Sequence, residues 1–352
     1  MDSITQAALG ASVAAVVAGK RCNGKVLIAG ALLGTLPDLD VLINYGNDIS
    51  NTVKHRGFSH SLLVLPPFSL LLAWLIHRFR PVQDWSFTRV FMLILLVLVT
   101  HPLLDYFTNY GTQLLWPFQG YYALSSIFII DPLYTLPLLI ALGFGIASRY
   151  RKAARYSAIA LVLSTGYLGW SLISQGIIKN RVENTLQALG LPQEKVFITP
   201  TPLNTVLWRV VVLDGNSYWE GLASLFDEDD EVRFIRQLRG EWPLEQTPTL
   251  LNDLRTFTHD FVSYQQDNGR LVVSDLRIGV VGSLAFRFEF ATQGENQSWQ
   301  LHTPTRLDRM EGMSIKENLG KMKERLLGDQ AIDAGFSDCG LCTSISAQNT
   351  SS

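Results

Sequence analysis

Residues 91–105 read FMLILLVLVTHPLLD. Nine apolar side chains run without a break from Phe91 to Val99, and His101 and Asp105 then follow four apart. The apolar half reads as the interior of a bilayer helix. The second half is where such a helix should carry nothing ionisable, because a charge in a membrane segment costs roughly 2.5–3.5 kcal/mol on insertion scales and usually marks function. His101 and Asp105 share one helical face. They read as a structural His–Asp hydrogen bond, as a metal ligand pair, or as a metal-bound histidine oriented by its carboxylate. Two questions follow: how many such helices the chain has, and what else points at this pair.

Four segments, 61–79, 90–107, 133–147 and 156–178, are apolar over the ~17–25 residues that a span needs, the third only if residues 127–130 extend it. Two more, 4–18 and 26–43, are short. They fit a hairpin of short or tilted helices in which Gly10, Gly30 and Gly34 allow close contact. The expectation is a mainly α, polytopic membrane bundle of about six segments over residues 1–178. Buried core helices of a soluble protein are the other reading, and the density of apolar runs through residue 178 argues against it.

Basic residues orient the bundle. Lys20, Arg21 and Lys25 follow the first segment, Arg78, Arg80 and Arg89 the third, and Arg149, Arg151, Lys152 and Arg155 the fifth. The remaining connections hold only Lys54 and Arg56. The basic side is therefore cytoplasmic, and both termini are expected in the periplasm. Asp2 stands where a secretory signal would be basic. The net charge of -2 excludes a typical nucleic-acid binder.

After Lys179 the composition changes. TVLWRVVVLD at 205–214 and LAFRFEF at 284–290 read as strands, and Asp267-Asn268-Gly269 as a hairpin turn. Residues 230–238 and 250–259 read as helices. Residues 179–328 thus form a small α+β extracytoplasmic domain, and 329–352 a flexible polar tail. Cys339 and Cys342 form one CxxC in that tail, which is half a zinc site or a disulfide.

Polar groups recur at one face. LPDLD at 36–40 offers Asp38 and Asp40, either as a cation site or as a helix stop with a capping aspartate. HRGFSH at 55–60 offers His55 and His60, with Arg56 between them and Ser59 as a cap. Asp2 and Gln6 open the first segment, and Asp131 precedes the fifth. In the six-segment topology these groups and the His101–Asp105 pair all fall on the outer face. Independent caps would have no reason to choose one face, so a shared site is the better reading. The expected metal ligands are Asp38, Asp40, His55, His60, His101 and Asp105. This mixed N/O set suits zinc first, with manganese or iron as alternatives. Asp38, Asp40 or Asp105 could act as general base rather than ligand, and Arg56 could hold an anionic substrate group.

LPDLD, HRGFSHSLL and THPLLDYFTNYGTQLLWP, in that order, resemble the YdjM-type family of inner-membrane proteins described as metal-dependent hydrolases and as LexA-binding. The likeness covers residues 1–137. It implies a multi-pass protein of the bacterial inner membrane and metal-dependent hydrolysis, with the six residues above as candidates. Gln6 stands where some members carry a histidine. The LexA association conflicts with a large domain outside the cytoplasm and is set aside. The expected activity is hydrolysis of a lipid or phosphoester among membrane lipids. The alternative is a structural or binding protein in which the same residues form a metal staple or a hydrogen-bond network.

Overall fold

The computed structural model describes residues 1–79, 85–280, 283–294, 296–308 and 315–337. Its helices in chain order are α1 (Ser3–Ala18), α2 (Gly24–Thr35), α3 (Asp48–Lys54), α4 (Leu65–Phe79), α5 (Phe87–Asp105), α6 (Pro132–Ala147) and α7 (Ala153–Leu189). After them come strands β1–β10, with α8 (Thr249–Phe257) and α9 (Ile315–Leu326) among them. The chain divides into two compact units. The first is Met1–Asn44, Lys54–Ser171 and Pro202–Asn204; the second is Tyr45–Val53, Leu172–Thr201 and the chain from Thr205 on.

In the first unit, the helix ends follow from side chains that satisfy open backbone groups. Asp2 accepts from Ile4 N and Thr5 N at 3.1 and 3.0 Å and so caps α1. Asp131 does the same for α6, accepting from Leu133 N at 3.0 Å. Pro37 cannot extend α2, and a 3₁₀ turn, Pro37–Leu42, replaces it. α1 and α2 meet through glycines, as the sequence suggests. A Cβ on Gly10 would stand 2.3 Å from Gly30 O, and one on Gly34 would stand 2.5 Å from Gln6 O. Leu9, Val13, Ile94, Leu98 and Leu138 form the core between α1, α5 and α6. Leu32, Leu71, Ile140 and Val162 are apolar and exposed. Helices apolar on both faces are the mark of a lipid neighbour.

The span count differs from the expected six. Among the described residues, only α5 and α7 are long and apolar enough to cross a membrane, or up to three spans if the bent pair Asp48–His60 and Leu65–Phe79 is one. The reason is length. α2 has 12 residues and α1 and α6 have 16 each. At ~1.5 Å per residue these fall short of a ~30 Å hydrocarbon core. Hydropathy registers the greasy run, but Gly19 and Pro37 cut it.

The second unit holds two antiparallel sheets. Strands β1 (Val196–Pro200), β2 (Leu207–Asp214), β3 (Ser217–Ser224) and β4 (Phe234–Leu238) lie side by side in chain order. The other sheet pairs β5 (Val262–Asp267), β6 (Arg270–Asp275), β9 (Arg287–Gln293) and β10 (Trp299–Leu307), again in chain order. A two-stranded ribbon of β7 (Gly279–Val280) and β8 (Ser283–Leu284) interrupts the second series. The Asp267-Asn268-Gly269 hairpin is as expected, with positive φ at Asn268 and Gly269 (49° and 72°).

Residues 234–238 form a strand, where a helix was expected. Phe234 faces Gly221 across the ladder and fills the space that the missing Cβ leaves. The stretch from Asp329 does not begin as a free tail either. Ile332, Ala334 and Phe336 are buried against Leu207, Leu222 and Ile235. Cys339 and Cys342 lie outside the described residues.

Asp260 ties three cations together in this unit. It accepts from Lys195 Nζ and Arg255 Nε at 2.9 Å each, with Arg239 Nη2 at 3.4 Å. Burial raises its carboxyl pKa, but those partners outweigh burial and hold it below the usual carboxylate range. A depressed folded pKa means that the stabilisation exists above the unfolded value of ~3.9 and is lost as pH falls through the folded one. Asp260→Asn keeps a side chain that tolerates the φ of 70° at this position. It should lower stability by about 1 kcal/mol at pH 7, given the part-exposed partners, and by less near pH 3. Hydrogen exchange over residues 249–267 at the two pH values measures this.

Candidate metal centre

Three stretches of the first unit bring the site together. The 3₁₀ turn after α2 carries Asp38 and Asp40. A second 3₁₀ turn, Phe58–His60, carries His60. The end of α5 carries His101 and Asp105 one helical turn apart. Arg56 has φ of 63°, and this left-handed kink separates His55 from His60.

Asp38, His60, His101 and Asp105 each offer one atom, and the four atoms lie within 4.8 Å of one another and could hold a metal ion. His60 Nε2 and His101 Nε2 are 3.1 Å apart. Asp38 Oδ1 is 3.4 Å from His60 Nε2 and 3.3 Å from His101 Nε2. Asp105 Oδ2 is 3.3 and 3.5 Å from the same two nitrogens. His60, His101 and Asp105 are no more than 1% exposed, while the Asp38 side chain is 20% exposed. Asp38 is the open side of the cluster.

The outer hydrogen bonds fix which ring nitrogens face inward. His101 Nδ1 lies 2.6 Å from Gly34 O, which can only accept, so Nδ1 carries the proton. Ser59 Oγ donates to Asp40 Oδ2 at 2.6 Å. It therefore accepts from His60 Nδ1 at 2.9 Å. In neutral rings both Nε2 atoms then present lone pairs to each other and to two carboxylates. Asp105 Oδ2 is buried with no hydrogen-bond partner. Four acceptors around one point call for positive charge, which the Arg56 guanidinium beside Asp105 Oδ2, protons on the rings or a bound cation would each supply. Burial raises the Asp38 carboxyl pKa, but the hydrogen bonds to His101 and His60 hold it well below the usual carboxylate range. Asp40 is likewise lowered against the effect of burial, by His55 and Ser59.

The other candidates take different places. Asp40 receives His55 Nδ1 at 2.7 Å, Arg56 N at 2.9 Å and Ser59 Oγ, so its carboxylate is committed outside the four-atom cluster. His55 is bound to Asp40, with its ring 6.0 Å from that of His60. Arg56 does not reach outward to an anionic group. It is 2% exposed, with Nε 3.3 Å from Asp105 Oδ2, Nη1 3.1 Å from Thr108 Oγ1, and its guanidinium over the Tyr110 ring. Ser59 bonds Asp40 and caps no helix. Asp2 and Asp131 are caps. Gln6 does reach the site: Nε2 donates to Asp105 Oδ1 at 3.1 Å, and the Met1 amino group bonds the same oxygen. The backbone groups of Gly34 and Met1 carry no side-chain signal by which sequence could have found them.

The model of the YdjM inner membrane protein family matches residues 1–178, which include every residue of this cluster. The chain belongs to the YdjM family. Two relatives are similar to it. One is a Bacillus subtilis (strain 168) protein named "Uncharacterized protein YfhP", 27% identical over 197 residues, or 56% of this chain and 58% of that protein. The other is "Inner membrane protein YbcI" of Escherichia coli (strain K12), 34% identical over 122 residues, or 33% of this chain and 67% of that protein. The chain thus spans little more than half the length of the first and about two thirds of the second. No solved structure matches the chain.

Proposed function

We propose that this YdjM-family protein is a membrane-bound metal-dependent hydrolase of a lipid or phosphoester. Asp38, His60, His101 and Asp105 would hold one divalent ion, zinc by preference. The spacing of the four atoms carries the reading. Tetrahedral zinc with bonds of ~2.0–2.2 Å has ligand–ligand edges of about 3.3–3.6 Å. Five of the six edges run from 3.1 to 3.5 Å, and the sixth, between Asp38 and Asp105, lies within 4.8 Å. Two imidazoles favour zinc over the harder cations, and iron or manganese would accept the same donors. An ion held by these four residues would have room for a water only as a fifth ligand on the open Asp38 side, and there it would supply a polarised scissile bond and a water of pKa about 7.

The chain's own residues supply the rest. Gly34 O and Ser59 orient the two imidazoles, as the outer partners of metal-bound histidines do. Arg56 and Gln6 fix Asp105. His55, with Nδ1 on Asp40, keeps Nε2 for taking a proton from water and returning it to the leaving oxygen. His55→Gln should therefore retain metal and lose turnover on a lysophospholipid or phosphoester substrate by about 10²–10⁴-fold. The competing reading is a structural staple, favoured by the burial of His60, His101 and Asp105. Under that reading neither wild type nor His55→Gln turns over any such substrate, and only stability follows the metal.

The site lies at the start of the α4 segment and the end of α5, away from Arg78 and Arg89 at their opposite ends. The positive-inside rule makes that face periplasmic. A reporter fused after Lys179 should read periplasmic, and a cytoplasmic readout would reverse the assignment.

A further inference from the structure

Beside the cluster lies a cavity of about 290 Å³. Leu39, Ile43, Phe58, Phe68 and Leu98 contribute to its wall. Asp40 and Ser59 supply its polar lining; Ser59 Oγ accepts from His60 Nδ1 and donates to Asp40. The cavity's polar corner is thus one imidazole ring away from the four-atom cluster. A cavity with walls like these is a poor place for water, which needs two to four polar partners.

The wall continues outside. Leu39, Phe58 and Phe68 are exposed as well as lining, and Val41, Leu42 and Trp116 extend the same apolar surface, with Phe58 and Trp116 in ring contact. Apolar surface of this kind on a membrane unit meets hydrocarbon, and its tryptophan suits the lipid–water boundary. The volume is at the lower end of the ~300–1,000 Å³ of small-molecule pockets, which suits one chain rather than a whole two-chain lipid.

We infer that this cavity seats one acyl chain of the substrate, which enters from the bilayer, so that the hydrolysable head stands at the His60–His101 cluster. This rests on the hydrolase reading above and narrows its substrate to a chain-bearing amphiphile. A chain leaving the bilayer for the cavity exchanges one apolar neighbour for another, so little affinity comes from burial. The cavity's role is to fix where the head sits, and remote binding used for positioning appears in the rate.

The test uses the full-length protein in vesicles of phosphatidylethanolamine and phosphatidylglycerol, with a lysophospholipid carrying a diazirine near its chain end. After irradiation, label should concentrate on residues 36–43, 58–68 and Leu98 above the level on exposed Ile159, Val162 and Leu163 of α7. Unlabelled lysophospholipid should displace it. Leu98→Trp and Val64→Phe, which fill the cavity, should each reduce it to the level on α7. Equal labelling of cavity and α7, or label that no excess displaces, would overturn the acyl seat, and the wild type alone can give that result. Metal content measured on the same samples separates the two ideas. Metal without cavity labelling sinks the seat and spares the metal reading. Cavity labelling without metal sinks the hydrolase reading and spares the seat.

Discussion

Purified His60→Ala and His101→Ala proteins should carry no tightly bound zinc, while His55→Ala should keep its full complement. The two lost rings are half of the four-atom cluster, and each is aimed by its own outer partner, Ser59 for His60 and Gly34 O for His101. Removing an outer partner of a metal ligand typically costs ~10–100-fold in affinity. Removing the ligand itself should cost more, because the remaining three atoms are then two carboxylates and one imidazole, with Asp105 Oδ2 still buried. Asp40→Asn should fall in the milder class, since it weakens the Ser59–His60 relay without touching the ion. Metal analysis of each variant after dialysis against a weak chelator gives the ranking. Undiminished metal in both His60→Ala and His101→Ala would remove the basis for a metal centre.

Gly30→Ala is the second change with a large expected effect, although it adds one methyl group. That methyl would stand 2.5 Å from Ala14 Cβ and 2.6 Å from Gly10 O. Neither neighbour is a flexible side-chain end, so α1 and α2 must move apart. Overpacking of this kind costs about 1–3 kcal/mol, and Gly30→Leu should exceed that range. The effect should also reach the metal centre. Gly34, one turn further along α2, supplies the carbonyl that fixes the His101 tautomer, and Gln6 on α1 holds Asp105. Thermal unfolding in detergent and zinc affinity should therefore fall together in Gly30→Ala. Gly143→Ala and Gly166→Ala, where an added Cβ has nothing within 4 Å, should be silent in both assays.

Much of this site is legible in the sequence, because helical spacing alone pairs His101 with Asp105. The small residues at 10, 30 and 34 announce a close helix pair for the same reason. What sequence does not separate is Asp38 from Asp40, or His55 from His60. At about three residues per turn, positions i and i+2 of a 3₁₀ turn point about 240° apart, so one aspartate faces the cluster and the other faces His55. That turn type is set by Pro37 and by packing, and apolar periodicity does not report it. The kink at Arg56 is equally silent, since arginine carries no preference for positive φ. Arg56 itself, charged and flanked by histidines, reads as a substrate contact until burial shows it against Asp105 and Thr108. The excess of expected spans has one cause. A hydropathy window measures greasiness, and a bilayer crossing also needs an unbroken helix. The recruitment of Tyr45–Val53 into the second unit leaves no local trace at all. It depends on contacts such as Arg306 N donating to Asp48 Oδ2 at 2.8 Å, 258 positions apart.

The order of strands in the two sheets has a consequence for how the chain acquires its shape. Every strand in β1–β4 pairs with the one made just before it, and β5, β6, β9 and β10 do the same around a short ribbon. Hairpins close in roughly 1–10 μs, whereas ribosomes add only ~5–20 residues each second. Each strand therefore finds its partner already waiting as it emerges, and no unpaired edge has to wait for a distant segment. Low sequence separation of this kind speeds folding and shortens the exposure of sticky edges. The closing contacts of Ile332, Ala334 and Phe336 with Leu207 and Ile235 must wait for the last part of the chain. Truncation there should leave both sheets able to form while exposing one apolar face of the first.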